Sequence, residues 1–321
     1  MPISPTSGAT IRQDVNVLVE EAALADSFFI GLKVMPAFGV DAKSGTYPKV
    51  QIAAGELLSA GSTVRSRGGA YGAATRQWTS DTYDCLDRGL EEPMDDTDAK
   101  DLARFFNLET STAKWVLRNV MLDHESRVAA AIQNTSNFSN VTTATAYTEA
   151  NLATIPVVVD ILAAIERVRD QGINPNTIVM SSPVYQRVRR TAQMLGFVQG
   201  STGKINQVNA NTIAQAFSDE GITQCLIGKA RYNTAKKGQA KSLSPVWSNN
   251  YIWVGLVNPN PLALTDGGAG FTLVWNEEGG VFVTETYRAD DRRCTIMRVR
   301  QNTAEKVVDS TAGTLITTTY S

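Results

Sequence analysis

The chain has 321 residues, 43% hydrophobic and 19% charged, with 30 basic and 32 acidic side chains giving a net charge of −2. That composition fits a folded protein of two or three lobes and excludes disordered and fibrous classes. It also argues against a dedicated nucleic-acid binder, which needs clustered Lys and Arg to displace counterions, though not against a surface that merely faces nucleic acid. Cys85, Cys225 and Cys294 are too few and too scattered for a disulfide framework or a Cys-based zinc site. No signal-peptide core and no membrane-length apolar run is present, so a cytosol-like compartment and no membrane contact are expected.

Residues 1–13 read as a flexible arm rich in Ser, Thr and Pro. From Asp14, a short amphipathic helix is predicted with Val15, Leu18, Val19, Ala22 and Ala23 on one side, leading into the apolar run Phe28–Val34 before Pro36. Between Gly39 and Ala74, Gly45, Pro48, Gly55, Gly61, Gly68, Gly69 and Gly72 separate the β-like runs Tyr47–Ile52 and Ser62–Arg67. The pattern predicts a long hairpin projecting from the body. Isolated hairpins are marginal in water, so a neighbouring subunit must support it if its own chain cannot. Arg76–Asp84 alternates like a strand returning to the body, and an acidic linker follows.

Residues 96–133 then predict one long helix. Asp96, Thr97 and Asp98 supply the start, and no Pro or Gly interrupts it. Leu102, Phe105, Phe106, Ala113, Val116, Leu117, Val120, His124, Val128, Ala131 and Ile132 form one buried stripe, while Trp115 and Leu122 imply a second covered face. Asp123 and Arg127 are spaced for a surface ion pair. At ~1.5 Å per residue the rod would be roughly 55 Å long, more than one compact domain needs, so it reads as a spine carrying separate lobes.

After a polar loop to Asn151, Thr154-Ile155-Pro156 opens a helix that ends at Gly172, with Val157, Val158, Ile161, Leu162, Ile165 and Val168 on one face. The strand Asn176–Ser181, a helix from Ser182-Pro183 to Gly196, a helix near Asn211–Phe217, and strands Thr223–Ile227 and Tyr251–Val257 make a second lobe. The β-rich remainder, Phe271–Trp275, Val281–Tyr287, Cys294–Arg300 and Leu315–Thr319, is expected to pair with Arg76–Asp84 beside the spine helix.

Chemical motifs are missing. The lone His124 sits on the buried stripe and reads as structural. The run Gly200–Lys204 has Val198 and Ile205 where a phosphate-binding loop needs Gly and Ser or Thr, so it reads as a loop. Gly267-Gly268-Ala269-Gly270 precedes a strand rather than a helix, the wrong context for a dinucleotide fingerprint. Asp95, Asp96 and Asp98 lack the rest of a calcium loop and read as a helix start. No catalytic, cofactor-binding or metal site is expected, and no cofactor. A carboxylate-based, cofactor-free hydrolase has no positive support.

The order of parts resembles the major capsid proteins of tailed bacteriophages, whose fold is shared with herpesvirus capsid floors and encapsulins. The matching residues are Phe28-Phe29-Ile30 and Met35-Pro36 closing the arm, the Gly-rich loop, Gln77-Trp78-Thr79, and the spine motifs Trp115-Val116-Leu117 and His124–Ala129. Further on come Ile161–Ile165, Ile178–Tyr185, Thr284–Tyr287 and Ile296–Val299. The resemblance implies an α+β fold with an N-terminal arm (1–38), an extended β-hairpin loop (39–75) and a peripheral domain with the spine helix (76–150). An axial domain (151–265) and peripheral return strands (266–321) complete it. It implies a shell protein, not an enzyme, forming hexamers and pentamers around double-stranded phage DNA in the virion, after assembly in the host bacterial cytoplasm. An encapsulin-type nanocompartment shell is the alternative. No long N-terminal helical segment precedes the arm, which implies a separate scaffolding protein, alongside a portal and, in some relatives, cement proteins. Lys43 and Lys49 lie in the loop, but no matching cross-linking constellation accompanies them. The resemblance also lays the loop over a neighbour's peripheral domain. From Leu57 to Ser80 the charged residues are Arg65, Arg67 and Arg76, +3, whereas Asp84–Asp101 carries eight acidic residues against two basic ones, −6. An inter-subunit clasp is therefore expected between Arg65, Arg67 and Arg76 and the acids Glu91, Glu92, Asp95 and Asp96.

Overall fold

The computed structural model describes residues 10–11, 28–50, 64–65, 67–70, 78–102, 107–202, 208–236, 238–264 and 266–320. In chain order its elements are β1 (Thr10–Ile11), α1 (Gly31–Val34), β2 (Ala37–Val40), β3 (Ser44–Val50), β4 (Trp78–Asp84), β5 (Leu86–Asp95), α2 (Asp96–Leu102), α3 (Leu108–Ile132) and β6 (Ser139–Thr142). There follow α4 (Val157–Arg169), β7 (Thr177–Ser181), α5 (Ser182–Val188), α6 (Ala192–Thr202), α7 (Ala210–Ala216), β8 (Gln224–Gly228), β9 (Arg231–Asn233) and β10 (Leu243–Pro245). The last are β11 (Tyr251–Gly255), β12 (Gly270–Trp275), β13 (Val283–Ala289), β14 (Cys294–Val307) and β15 (Gly313–Thr317). The fold is α+β.

Two larger sheets define two lobes. In the first, ordered β1-β13-β14-β12-β2, the 14-residue β14 is the axis. It pairs with β13 and then β12 along one edge, and with β5 along the other. The second sheet runs β6-β15-β11-β7-β8, with β7–β8 and β15–β6 parallel. Its interior strand β7 is buried throughout, consistent with the unbroken apolar run Ile178-Val179-Met180. Helices α4 to α7 cover this sheet through a core that includes Ile161, Ile165, Val184, Ile213 and Phe217.

Helix α3 joins the lobes. Its first half sets Val116, Leu117 and Val120 against Met94, Met297 and Val299 of the first sheet. Its second half sets Val128, Ala129 and Ile132 against Val179, Trp247, Trp253 and Leu315. One helix thus contributes to two cores. The predicted single helix over 96–133 is corrected: α2 and α3 are separate. Asn107 is extended (φ −77°, ψ 107°), and its Oδ1 accepts from Thr110 N at 3.2 Å, a cap that starts a new helix. Asn107 competes for its own backbone, a signal that periodicity alone does not register. Phe105 and Phe106 lie outside the described residues, as does the predicted helix from Asp14. Of the two residues expected on a second covered face, Leu122 is partly buried against the first-sheet core, whereas Trp115 is 57% exposed.

Strand pairings differ from expectation in three places. The acidic segment read as a linker is β5, all ten of its residues registered against β14 from Thr303 to Cys294. Only Met94 of the ten is buried, so no apolar alternation announced the strand. The described part of the predicted strand, Trp78–Asp84, does not pair with the C-terminal strands; β4 pairs with β3 in the register Ser44↔Asp84 to Val50↔Trp78. It is therefore the second arm of the hairpin stem. Tyr47 and Tyr83 pin that stem to Val40, Phe271, Leu273, Ala304 and Val308, so its base is supported by its own chain. Val64 and Arg65 lie outside any strand, and Gly68 turns through φ 82°. The last strand, β15, joins the second sheet between β11 and β6, so the sheets divide the chain differently from the expected 266–321 boundary.

The helix predicted from Ser182 to Gly196 is also two. Thr191 Oγ1 donates to Val188 O at 2.8 Å and accepts from Met194 N at 3.3 Å, ending α5 and capping α6. The run Gly200–Lys204, read as a loop, is corrected in its first part, because α6 runs on past Gly196 and takes in Gly200–Thr202; Gly267–Gly270 leads into β12 as the sequence suggests.

Candidate functional site

The most concentrated polar chemistry in the described chain lies halfway along α3, where His124, Glu125 and Arg127 point into different neighbours. Glu125 is completely buried. Its carboxylate accepts from Ile30 N at 3.0 and 3.1 Å, from Gly31 N at 2.5 Å and from Trp247 Nε1 at 2.5 Å. It thereby ties the segment before α1 and the segment before β11 to the spine. Burial pushes its carboxyl above the ordinary carboxylate range, and the three donors pull the other way. His124 Nε2 lies 3.2 Å from Thr272 Oγ1, whose own hydroxyl donates to Met35 O at 2.9 Å. That relay makes Nε2 the protonated nitrogen. Burial lowers the imidazole to about 4, so His124 is neutral at pH 7. Arg127 grips Glu305 in a fork, Nε to Oε2 at 2.8 Å and Nη2 to Oε1 at 3.0 Å. It also pairs with Asp123, as the spacing predicted. Burial pushes Glu305 up, but Arg127 and His124 hold its carboxyl below the usual value.

The residues singled out for an inter-subunit clasp scatter into separate environments. Glu91 accepts from Arg298 Nη2 at 2.9 Å and from Tyr287 OH at 3.0 Å, and the arginine holds its carboxyl below the usual range. Asp96 is gripped by both Nη atoms of Arg288, at 2.5 and 2.6 Å, which likewise lowers it. Asp95 Oδ1 accepts from Thr97 N at 2.7 Å, a cap on the first turn of α2. These three acids already have partners in their own chain. Glu92 is half-buried on β5, Arg65 and Arg67 are exposed, and Arg76 lies outside the described residues. Glu91, Asp95 and Asp96 thus have partners in Arg298, Arg288, Tyr287 and Thr97, none of them in the basic set named from the sequence. Glu125, Trp247 and Glu305 went unrecognised in the sequence. The only signal was a Glu among apolar neighbours, where Met121, His124 and Val128 share its side of the helix.

Among the described residues, no three His, Cys, Asp or Glu side chains gather as metal ligands. No helix there is long and apolar enough to cross a membrane. A cleft of about 530 Å³ among the described residues is lined by hydroxyls of Thr135, Ser136, Ser310 and Thr311 with Arg167, and its lining holds no nucleophile–base pair.

No protein-family model matches the chain, and no curated protein matches it in sequence. Solved structures do. A phage-related protein of Bordetella bronchiseptica RB50 superposes with a TM-score of 0.71 at 18% identity, over 97% of this chain and 98% of its own. The capsid of cyanophage P-SCSP1u matches at 0.56 and 12% identity, over 90% of this chain and 87% of its own. This chain has the phage capsid fold. A virus-like particle from Pyrococcus furiosus matches at 0.55 and 10% identity, over 95% and 98% of the two chains. At these identities the likeness is one of architecture.

Within the capsid fold, the surfaces that stay open are specific. Trp115 stands out from α3, and Leu86 and Leu90, 47% and 48% exposed, lie on β5. Among the described residues no strand pairs with the outer edge of β5, the kind of edge that proteins guard with charge and Pro. Glu91, Glu92 and Pro93 guard it here.

Proposed function

We propose that this chain is a structural major capsid protein. Copies associate as hexamers and pentamers into an icosahedral shell enclosing double-stranded phage DNA, with no catalytic role. The observation that carries this reading is the match to phage-related and capsid chains over 90% or more of this chain. The open surfaces agree with it, since closed symmetric assembly covers them. In this reading residues 1–38 are the arm, 39–75 the extended loop, the β14 sheet the peripheral domain and the β7 sheet the axial domain. Scaffolding protein, portal and cement proteins are the partners, assembly takes place in the host cytoplasm, and the virion is the destination. The loop carrying Arg65, Arg67 and Arg76 reaches a neighbour's acidic β5–α2 segment.

An encapsulin-type shell is the second reading, supported by the Pyrococcus furiosus likeness. Negative-stain microscopy of the purified protein should show closed shells, and native particles should protect DNA from nuclease. Particles that protect an enzyme cargo and no DNA select the second reading. Absence of particles across concentration and salt rejects both.

A further inference from the structure

The segment Phe28–Pro36, which enters the body from the N-terminal side, is fastened to α3 at two adjacent residues. Glu125 takes the amides of Ile30 and Gly31, and His124 reaches the carbonyl of Met35 through Thr272. We propose that His124 and Glu125 form a proton-sensitive clamp that holds Phe28–Pro36 on the spine helix and releases it when the imidazole gains a second proton.

The geometry supplies the release step. His124 Nε2 already carries its hydrogen toward Thr272, so the incoming proton must go to Nδ1. That atom faces Gly31: a Cβ built on Gly31 would lie 3.1 Å from Nδ1 and 2.8 Å from Glu125 Oε2. A Cβ at Gly31 would crowd both side chains, so the bare glycine backbone packs directly against them. A charge gained at Nδ1 is enclosed there away from water, and opening of Phe28–Pro36 re-exposes it. A pocket of about 90 Å³, lined partly by Phe29, Lys33, Met121 and Phe282, abuts both side chains and gives a proton a way in.

The charges facing His124 are few. Glu305 on β14 lies 3.8 Å from Nε2 and favours the cation. Arg127 and Asp123 on the same helix act in opposite senses, and Lys33 lines the pocket beside it. β12 presents only the Thr272 hydroxyl, and Phe282 its ring edge. Burial outweighs Glu305, so the clamped imidazole resists protonation while a released one regains an ordinary value near 6.5. The neutral imidazole thus contributes stability above pH 6.5 that is lost as pH falls toward about 4. By linkage, opening becomes about 20-fold easier at pH 5 than at pH 7. Glu125 carries the opposite sign, because a carboxyl raised by burial loses stability as pH rises.

Backbone hydrogen exchange on the full chain reads the clamp directly. After correction for intrinsic rates, protection at Ile30 and Gly31 should fall about 20-fold from pH 7 to pH 5, while amides of Leu117 and Val120 keep theirs. In His124→Gln, which can still donate to Thr272 but cannot become charged, protection should stay flat or rise on acidification. Because His124 is the single histidine, its NMR titration can be followed without ambiguity and should track the amide loss. That measurement decides the matter even if the variant does not fold. Unchanged protection at pH 5 overturns the clamp. So does loss in step with Leu117, equal loss in His124→Gln, or loss without titration of the imidazole.

Discussion

Arg127 and Glu305 show how a single pair can matter while contributing little net stability. Glu305 is 6% exposed at its side chain and Arg127 18%, so both charges have given up most of their water. Removing one partner leaves the other buried and uncompensated, whereas removing both restores neutrality. Arg127→Met should therefore cost about 3–5 kcal/mol, and adding Glu305→Met should recover most of that loss, as read from denaturant midpoints of the three variants. Equal costs for the single and double variants would mean that Arg127 works through packing alone. The pairing of Asp123 with Arg127 was legible because four-residue spacing on a helix fixes adjacency. The partner 178 positions away was not, because nothing local ties Arg127 to a strand near the other end of the chain.

Helix α3 was the most legible element, because a stripe at Val116, Leu117, Val120 and Val128 has only one way to be satisfied. Its start was not legible, because Asn107 interrupts the helix without Pro or Gly. β5 was invisible for the opposite reason. Its stability comes from the backbone ladder with β14 and from cross-strand pairs such as Glu91 with Arg298, not from an apolar face. The two faces of α3 should respond differently to truncation. Leu117→Ala and Val120→Ala, each at a site 3% exposed, should lower stability by about 2–4 kcal/mol. Trp115→Ala, at an exposed site, should change it by no more than about 0.5 kcal/mol in the unassembled subunit. Thermal melting of the three variants below the assembly concentration checks this, and a Trp115 effect as large as that of Leu117 would place the tryptophan in the subunit's own core.

At the scale of the whole molecule, order of parts outweighed any single motif. The helix that links two lobes was readable from composition and periodicity, while the crossing of β15 into the second sheet was not. Strand partners chosen across 170 or more residues leave no local trace, as the pairing of Thr314 with Ser139 illustrates. The proposed clasp is where this scale can be tested, and the structure changes how. Glu91 and Asp96 already hold Arg298 and Arg288, so placing Arg at position 91 would set two guanidiniums together and disturb the subunit itself. Glu92 has no such commitment among the described residues, which makes it the cleaner compensating site. Reversing Arg65 and Arg67 to Glu should slow assembly most at low salt, because exposed charges act over a Debye length of about 10 Å at 0.1 M. Their individual worth is only ~0–1 kcal/mol, but the term recurs at every subunit of a closed shell and biases register during encounter. Subunit melting should not move, since neither arginine packs into a core. Adding Glu92→Arg should restore part of the rate, with light scattering as the readout. Assembly of the double reversal at the wild-type rate in both low and high salt would leave backbone pairing and apolar contact as what seats the loop, and β5, with exposed Leu86 and Leu90, would become the surface to mutate next.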